Sequence, residues 1–420
     1  MNSITPKEKI KGLEKGLSEE EINKLWGEVD FLRPVDHVQW LRHFISLEFG
    51  LARLQAGWIP ACGHLQWKLD LPKLIFEDMQ HVRRLRERLH ELPGGTGEFA
   101  PKPTVNGFLQ AISRADHASS FFRATYTLIK PKLVEAYKTY LHKSDDIFDA
   151  PTIYHLEQII FEKERQLNWM HEFLSEYPLN PENPDESELY LNYVQECLNI
   201  IGPLYLSREL EANIRFPASP IQNPAGPAPE KPAQDPELKL LDRFPINQEE
   251  DPLHGTLREI VYHNATEWQV IDPMCYIFYG IAKMPLDFFI DFSRHIWDEC
   301  RHAKMGIRRL QELGYSMDDF YWPHYPTRMD AMEDYFAELT LVGEACSFTR
   351  KKGSIVPFLK FGDKKSALLP EVDCVDERLH VGWGRKWVPV MFKNNKNDNR
   401  SVDEIARDTR KFLAKNWEHF

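Results

Sequence analysis

Apolar residues recur at intervals of three and four through most of the chain, and nothing alternates like a strand for long, so both halves read as helical. In the C-terminal half the stripes predict helices near 254–281, 286–313, 328–351 and 364–390, interrupted at Pro285, at the Gly314 turn and over a Gly353 to Gly362 loop. The N-terminal half carries stripes such as Leu41, Phe44, Ile45 and Leu51, and Ser18-Glu-Glu-Glu21 ahead of Ile22 has the form of a capping box that opens the first helix. Between the halves the periodicity stops. Residues 217–236 hold seven prolines in twenty positions, which predicts an extended linker. The expected division is a helical bundle over 20–212, a linker over 213–249, a second bundle over 250–395 and a tail helix over 396–420.

Charged residues interrupt the inward stripes at a few places. Glu267 sits at helical spacing among Ile260, Val270, Ile271 and Met274, and Glu299 among Phe288, Phe292, Ile296, Ala303 and Leu310. A buried unpaired carboxylate costs roughly several kcal/mol, so each wants a cation, a proton or a partner. Glu299-Cys-Arg-His302 and Glu377-Arg-Leu-His380 put a carboxylate and an imidazole three residues apart, on one helix face. Each follows a lone glutamate by nearly the same distance, 32 residues from Glu267 and 33 from Glu344. Two helices with a pair each and two with one glutamate each make the ligand plan of a two-metal site in a four-helix bundle. Four carboxylates, two neutral imidazoles and two divalent cations then balance. His295 lies four residues before Glu299 on the same face, as a hydrogen-bond partner of the ligands or as a substrate-facing catalytic base.

The N-terminal half echoes this arrangement. Glu48 is followed 30 residues later by Asp78-Met-Gln-His81, and His81-Val-Arg-Arg-Leu-Arg-Glu-Arg-Leu-His-Glu-Leu parallels His302-Ala-Lys-Met-Gly-Ile-Arg-Arg-Leu-Gln-Glu-Leu. The parallel predicts an internal duplication, with Glu135 as the counterpart of Glu344 and Glu162 or Glu164 as that of Glu377. No histidine follows Glu162 or Glu164 at the third position, so a bundle without metal is expected here, with one metal on Glu48, Asp78 and His81 as the alternative.

Composition narrows the class. A length of 420 residues suggests two or three domains, and 42% hydrophobic residues suffice for sizeable cores. A net charge of -12 argues against nucleic acid or an anionic membrane as partner. No run of eighteen apolar residues exists and Met1-Asn-Ser-Ile-Thr-Pro lacks a signal-peptide core, so a cytoplasmic protein is expected. The six cysteines show no Cys-x-x-Cys spacing and read as reduced thiols; Cys275, Cys300, Cys346 and Cys374 are expected to be small buried hydrophobes. Trp268, Trp297, Tyr276 and Tyr279 read as core or surface aromatics rather than radical relays.

The order glutamate, Glu-x-x-His, glutamate, Glu-x-x-His resembles the ferritin-like superfamily of di-iron carboxylate proteins. The stretch from Gly362-Asp-Lys-Lys-Ser-Ala-Leu-Leu to Asp376-Glu-Arg-Leu-His-Val-Gly-Trp-Gly-Arg-Lys-Trp387 is similar, more narrowly, to a rubrerythrin-related bacterial group of unassigned function. The resemblance covers about 250–390 well and 34–176 loosely. It implies an all-α fold of tandem ferritin-like four-helix bundles joined by the proline-rich linker. It also implies Glu267, Glu299, His302, Glu344, Glu377 and His380 as ligands of two iron ions, with manganese an alternative in one or both positions. Members of the superfamily oxidise ferrous iron, reduce peroxide, make a radical or insert oxygen into organic molecules, and fold alone does not choose among these. The chain lacks a rubredoxin-like four-cysteine centre and is longer than a ferritin subunit. The favoured expectation is therefore an oxidase or oxygenase that uses dioxygen on a small organic substrate, with electrons from an external reductase, a small reductant or the substrate itself. Ferroxidase or peroxide-scavenging activity and a non-catalytic helical scaffold are the alternatives. A homodimer is left open.

Overall fold

The computed structural model describes residues 18–27, 29, 31–96, 100–177, 184–202, 204, 214–241, 261–323 and 331–416. They form an all-α fold. Helix α1 (Glu19–Trp26) opens on the Ser18 capping box. Helix α2 (Pro34–Trp58) starts on a proline whose missing N–H costs nothing at a first helical position. Helix α3 (Leu65–Glu91) is capped by His64 Nδ1, which accepts from the Gln66 N–H at 3.2 Å. There follow α4 (Pro103–Ile112), α5 (Ala118–Ala124), α6 (Lys130–Lys143), α7 (Ala150–Glu176) and α8 (Pro184–Ile201). In the C-terminal half, residues 261–265 and a tight 3-10 turn, Thr266–Val270, lead into α9 (Ile271–Gly280). Then come α10 (Leu286–Glu312), α11 (Met332–Ala337), α12 (Glu344–Lys360), α13 (Lys364–Lys396) and α14 (Val402–Asn416). The tail helix expected over 396–420 is α14 in the described residues.

Two of these connections are wide, π-helical turns: Thr125–Ile129 carries α5 into α6, and Glu338–Gly343 carries α11 into α12. Such turns rotate the following residues relative to a regular helix and recur at functional sites. Here they set the facing of the first residue after each, Lys130 and Glu344.

Two helix ends differ from the sequence expectation. Helix α12 runs through Gly353 and Pro357 to Lys360, so the expected loop shrinks to Phe361, Gly362 and Asp363, with Gly362 at φ +75° making the turn. Helix α13 passes Pro389 to end at Asn397, in the left-handed conformation at φ 54°. Both helices bury a face, with Lys351 and Phe358 inside on α12 and Trp387, Val388 and Met391 on α13. That packing outweighs the amide hydrogen bonds lost at Pro357 on α12 and at Pro370 and Pro389 on α13. The expected helix start at 254 falls outside the described residues.

The two halves pack directly on one another through α3 against α10 and α2 against α9. The Phe76 ring stacks on Trp297 with centroids 4.7 Å apart, Phe49 meets Phe289 edge-on at 4.9 Å, and buried Lys68 donates to Asp272 at 2.6 Å. The proline-rich stretch, described over 214–241, lies as a strap against both halves. The Ala228 and Ala233 N–H groups donate to the Gly57 and Pro60 carbonyls at 2.7 Å, and Tyr276 Oη donates to the Pro229 carbonyl at 2.7 Å. An extended proline-rich backbone has no internal hydrogen bonds, so its carbonyls and few N–H groups are free to bond sideways. At its end Leu240–Leu241 pairs in parallel with Trp322–Pro323. No helix of the described residues is long and apolar enough to cross a membrane. Five cysteines are buried and unpaired as thiols; Cys346, expected inside, is exposed.

Candidate metal centre

Helix α10 presents His295, Glu299 and His302, and helix α13 presents Asp373, Glu377 and His380. Steps of four and three residues place all three groups of each helix on one face. Glu267 comes from the tight turn before α9, and Glu344 is the first residue of α12. The fold gathers these eight into two adjoining groups, one of His295, Glu299, Glu344 and His380, the other of Glu267, His302, Asp373 and Glu377. Within each group one ligand atom per residue lies within 4.8 Å of all the others. In the first, His295 Nε2 is 2.7 Å from Glu344 Oε1 and 3.5 Å from Glu299 Oε1, and His380 Nδ1 is 3.2 Å from Glu299 Oε1. In the second, His302 Nδ1 is 3.1 Å from Glu267 Oε2 and 3.7 Å from Asp373 Oδ1. Glu299 Oε1 is also 3.9 Å from His302 Nδ1, so this carboxylate stands between the groups.

The far nitrogens of two imidazoles are held crosswise. His302 of α10 turns Nε2 to Asp376 of α13 at 3.2 Å, while His380 of α13 turns Nε2 to Asp298 of α10 at 3.4 Å. Arg294 Nε donates to both Asp298 oxygens at 2.8 Å, and Arg301 bridges Asp298 and Asp376. With Nε2 engaged, each ring presents Nδ1 to the centre, which fixes ring orientation as metal sites require.

The electrostatics show what the pocket lacks. Five carboxylates, of Glu267, Glu299, Glu344, Asp373 and Glu377, face one buried ammonium, that of Lys351. Its Nζ lies 2.5 Å from Glu377 Oε1, 2.7 Å from Asp373 Oδ1 and 3.1 Å from Glu267 Oε1. Four negative charges remain, the number two divalent ions cancel. Buried ligand atoms without a hydrogen-bond partner cluster here: Glu267 Oε2, Glu299 Oε1, Glu344 Oε2, Glu377 Oε2 and the Nδ1 atoms of His302 and His380. Orphaned buried acceptors are rare and call for an explanation. Without an ion, protons fill the role. Burial, reinforced by the Glu377 charge, lifts Glu344 to about 7; burial and the Glu267 charge lift Asp373 to about 8. Burial opposes protonation of His302, but Asp376 and Glu267 hold it well above the usual imidazole range, and Asp298 and Glu299 do the same for His380. Carboxylate oxygens with a few imidazoles are the donor set of iron and manganese, so the residues present fit a pair of such ions.

A narrow cleft of about 60 Å³ runs from the surface to Glu267, Lys351 and Asp373 between apolar walls of Val261, Phe358, Leu369 and Pro370.

The N-terminal half brings Glu48, Asp78 and His81 together in the same way, fully buried. Here, however, Lys163 Nζ stands between Glu48 Oε2 and Asp78 Oδ1, 2.7 Å from each, and Lys130 Nζ donates to Asp78 Oδ2 at 2.9 Å. Tyr137 Oη donates to Glu48 Oε1 at 2.6 Å. The crosswise contacts recur: His81 Nε2 meets Glu162 at 2.9 Å, as His302 meets Asp376, and Gln166 Nε2 donates to Glu77 at 3.0 Å, as His380 meets Asp298. In this register Lys163 matches Glu377, Gln166 matches His380, Lys130 matches Glu344 and Tyr137 matches Lys351. The counterparts expected from the sequence are thereby corrected. Glu135 and Glu164 are solvent-facing partners of Lys132 and Lys138, and Glu162 matches Asp376 rather than a ligand.

All six expected ligands lie in the two C-terminal groups, and His295 lies in a ligand group itself. Trp268 and Tyr276 are buried, and Trp297 is the aromatic shelf under Arg294 and Arg301. Sequence reading missed Asp373, Lys351, Asp298 and Asp376. A signal for three existed: Asp373 precedes Glu377 by four residues as His295 precedes Glu299, and both motifs read Asp-Glu-x-x-His. Lys351 follows Glu344 by two helical turns, which the spacing alone does not distinguish from a surface lysine.

A family model described as "Protein of unknown function (DUF455)" matches residues 204–418, a span holding every residue of the C-terminal groups and none of Glu48, Asp78 and His81, and the chain belongs to that family. No curated protein and no solved structure matches the chain.

Proposed function

We propose that this DUF455 protein is a non-haem di-metal oxidoreductase of the ferritin-like kind, working in the cytoplasm. It holds two iron ions, with manganese an alternative occupant, and uses dioxygen to oxidise a small organic molecule. One observation carries the reading: four uncompensated buried negative charges converge with partnerless ligand atoms in a space lined by three imidazoles. Two redox-active ions, held by His295, Glu299, Glu344 and His380 and by Glu267, His302, Asp373 and Glu377, would supply the redox chemistry with dioxygen there.

The chain's own residues define what surrounds that chemistry. Glu299, within reach of an imidazole of each group, is the carboxylate that would be available to either. Asp298 and Asp376 hold His380 and His302 with Nδ1 inward, and Arg294 and Arg301 hold those aspartates in place. His295, stacked on His380 at 3.8 Å, is a ligand in this arrangement and not a substrate base. The cleft reaches Glu267, Lys351 and Asp373 and is the approach a small molecule would take. No electron-carrying cysteine cluster is present among the described residues, so electrons come from a separate reductase or from the substrate.

Metal analysis of the full chain made in iron-supplemented medium tests the reading. About two metal ions per chain are expected, with near-complete loss in the Glu299→Ala, Glu377→Ala double variant. Oxygen uptake by the reduced protein then serves as the substrate screen. Absence of bound metal after anaerobic reconstitution with ferrous and manganous ions would overturn it.

A further inference from the structure

Lys351 is the one buried ammonium inside the centre among the described residues, and it is placed unevenly. Its ammonium contacts Glu267, Asp373 and Glu377, three of the four members of one group, and makes no ion pair with the other group. A divalent ion bonds carboxylate oxygens at roughly 2.0–2.2 Å. An ion seated among these three carboxylates would stand within a few Å of an Nζ that lies 2.5–3.1 Å from one oxygen of each, and two like charges would repel at that range. Ammonium and ion therefore compete for the same carboxylates. The group of His295, Glu299, Glu344 and His380 has no such occupant.

The same side chain lines the cleft, whose apolar wall includes Phe358, Leu369 and Pro370. A lysine stem can lie along such a wall while its charged end reaches water. Resting on the di-metal reading, we propose that Lys351 is a tethered cation that fills the second metal position in the metal-free protein. The two positions then load in order: the first ion enters the histidine-rich group, and the second enters only as Lys351 withdraws into the cleft. The lysine is a positioning residue, and its departure also changes the wall that an incoming substrate meets.

Manganous ion titrated into the full chain, with free ion read by electron paramagnetic resonance, separates the outcomes. The wild type is expected to take one tight equivalent and a second about tenfold weaker or more, because the second site is competent only in the fraction of molecules with Lys351 withdrawn. Lys351→Met should tighten the second equivalent by that factor and leave the first unchanged. Amine acetylation read by peptide mass spectrometry gives a check without any substitution. Lys351 should be protected with no ion or one ion bound and become reactive with the second. Two equal equivalents in the wild type, or a second equivalent unmoved in Lys351→Met with Lys351 protected throughout, would overturn the ordering and leave the di-metal reading standing. No uptake by the wild type would remove both.

Discussion

In the N-terminal cluster Lys163 stands where the C-terminal helices place Glu377, and Lys130 where they place Glu344; with these two exchanges the same scaffold changes from charge-deficient to charge-complete. Glu48 and Asp78 have a donor on every oxygen, from Lys163, Lys130, Tyr137 and Gln55. The C-terminal carboxylates keep four partnerless oxygens and a surplus of negative charge. The comparison shows that convergent carboxylates alone do not define a metal site. What matters is whether the chain also brings its own cations. The crosswise contacts of His81 with Glu162 and of Gln166 with Glu77 persist where the ligands themselves are replaced, so they belong to the scaffold as much as to the chemistry.

The largest expected effect that separates the two clusters is on stability. Lys163→Met leaves Glu48 and Asp78 buried with half their compensation, and should cost about 3–5 kcal/mol. Its reference is Glu344→Gln, which removes an uncompensated charge and should leave the metal-free protein unchanged or more stable while weakening metal uptake. Denaturant midpoints of the two variants decide it, and equal losses would mean that the clusters are electrostatically alike. Next, Asp376→Asn should weaken metal binding about 10–100-fold by freeing His302, whereas the matching Glu162→Gln should leave metal content unaltered.

A pH dependence sharpens the same contrast. Hydrogen bonds from His81 and Arg84 hold Glu162 down at about 2, below its ordinary 4.5, and Lys163 and Lys130 outweigh burial to hold Asp78 low as well. A carboxyl lowered on folding contributes stability that is complete above the unfolded value and lost as pH falls through the folded one. The N-terminal half should therefore lose stability from about pH 4.5 toward 2, and Glu162→Gln should flatten that slope in acid-unfolding curves. The smallest effect belongs to the half-exposed pair of Arg86 and Asp287 between the halves, where Arg86→Ala should cost about 0.2–1 kcal/mol and less in high salt.

The helical class and all six paired ligands were legible because burial and helical period leave regular marks: an acidic residue on an apolar stripe is conspicuous. Asp373 was legible in principle from its spacing to Glu377. Lys351, Lys163 and Lys130 were not, since lysines mark helix surfaces everywhere and only the three-dimensional facing tells a buried one apart. The facing of Lys130 depends on a π-helical turn that shifts the register after Thr125, which is also why Glu135 looked like the counterpart of Glu344. The length of α12 escaped because glycine and proline are read as breaks, whereas packing on both sides carried the helix through them.

The strap has a kinetic consequence. Asp235 on it accepts from the Leu65 N–H and the Ala233 carbonyl accepts from Lys68, contacts that span 170 and 165 residues of sequence, and Lys68 in turn reaches 204 residues on to Asp272. Through Lys68, which bonds the strap and Asp272 at once, this closure links both halves, and long-range closures are the slow ones. The strap is thus expected to seat late, as a latch over the assembled pair. A single proteolytic cut within it should slow refolding far more than it loosens the native protein.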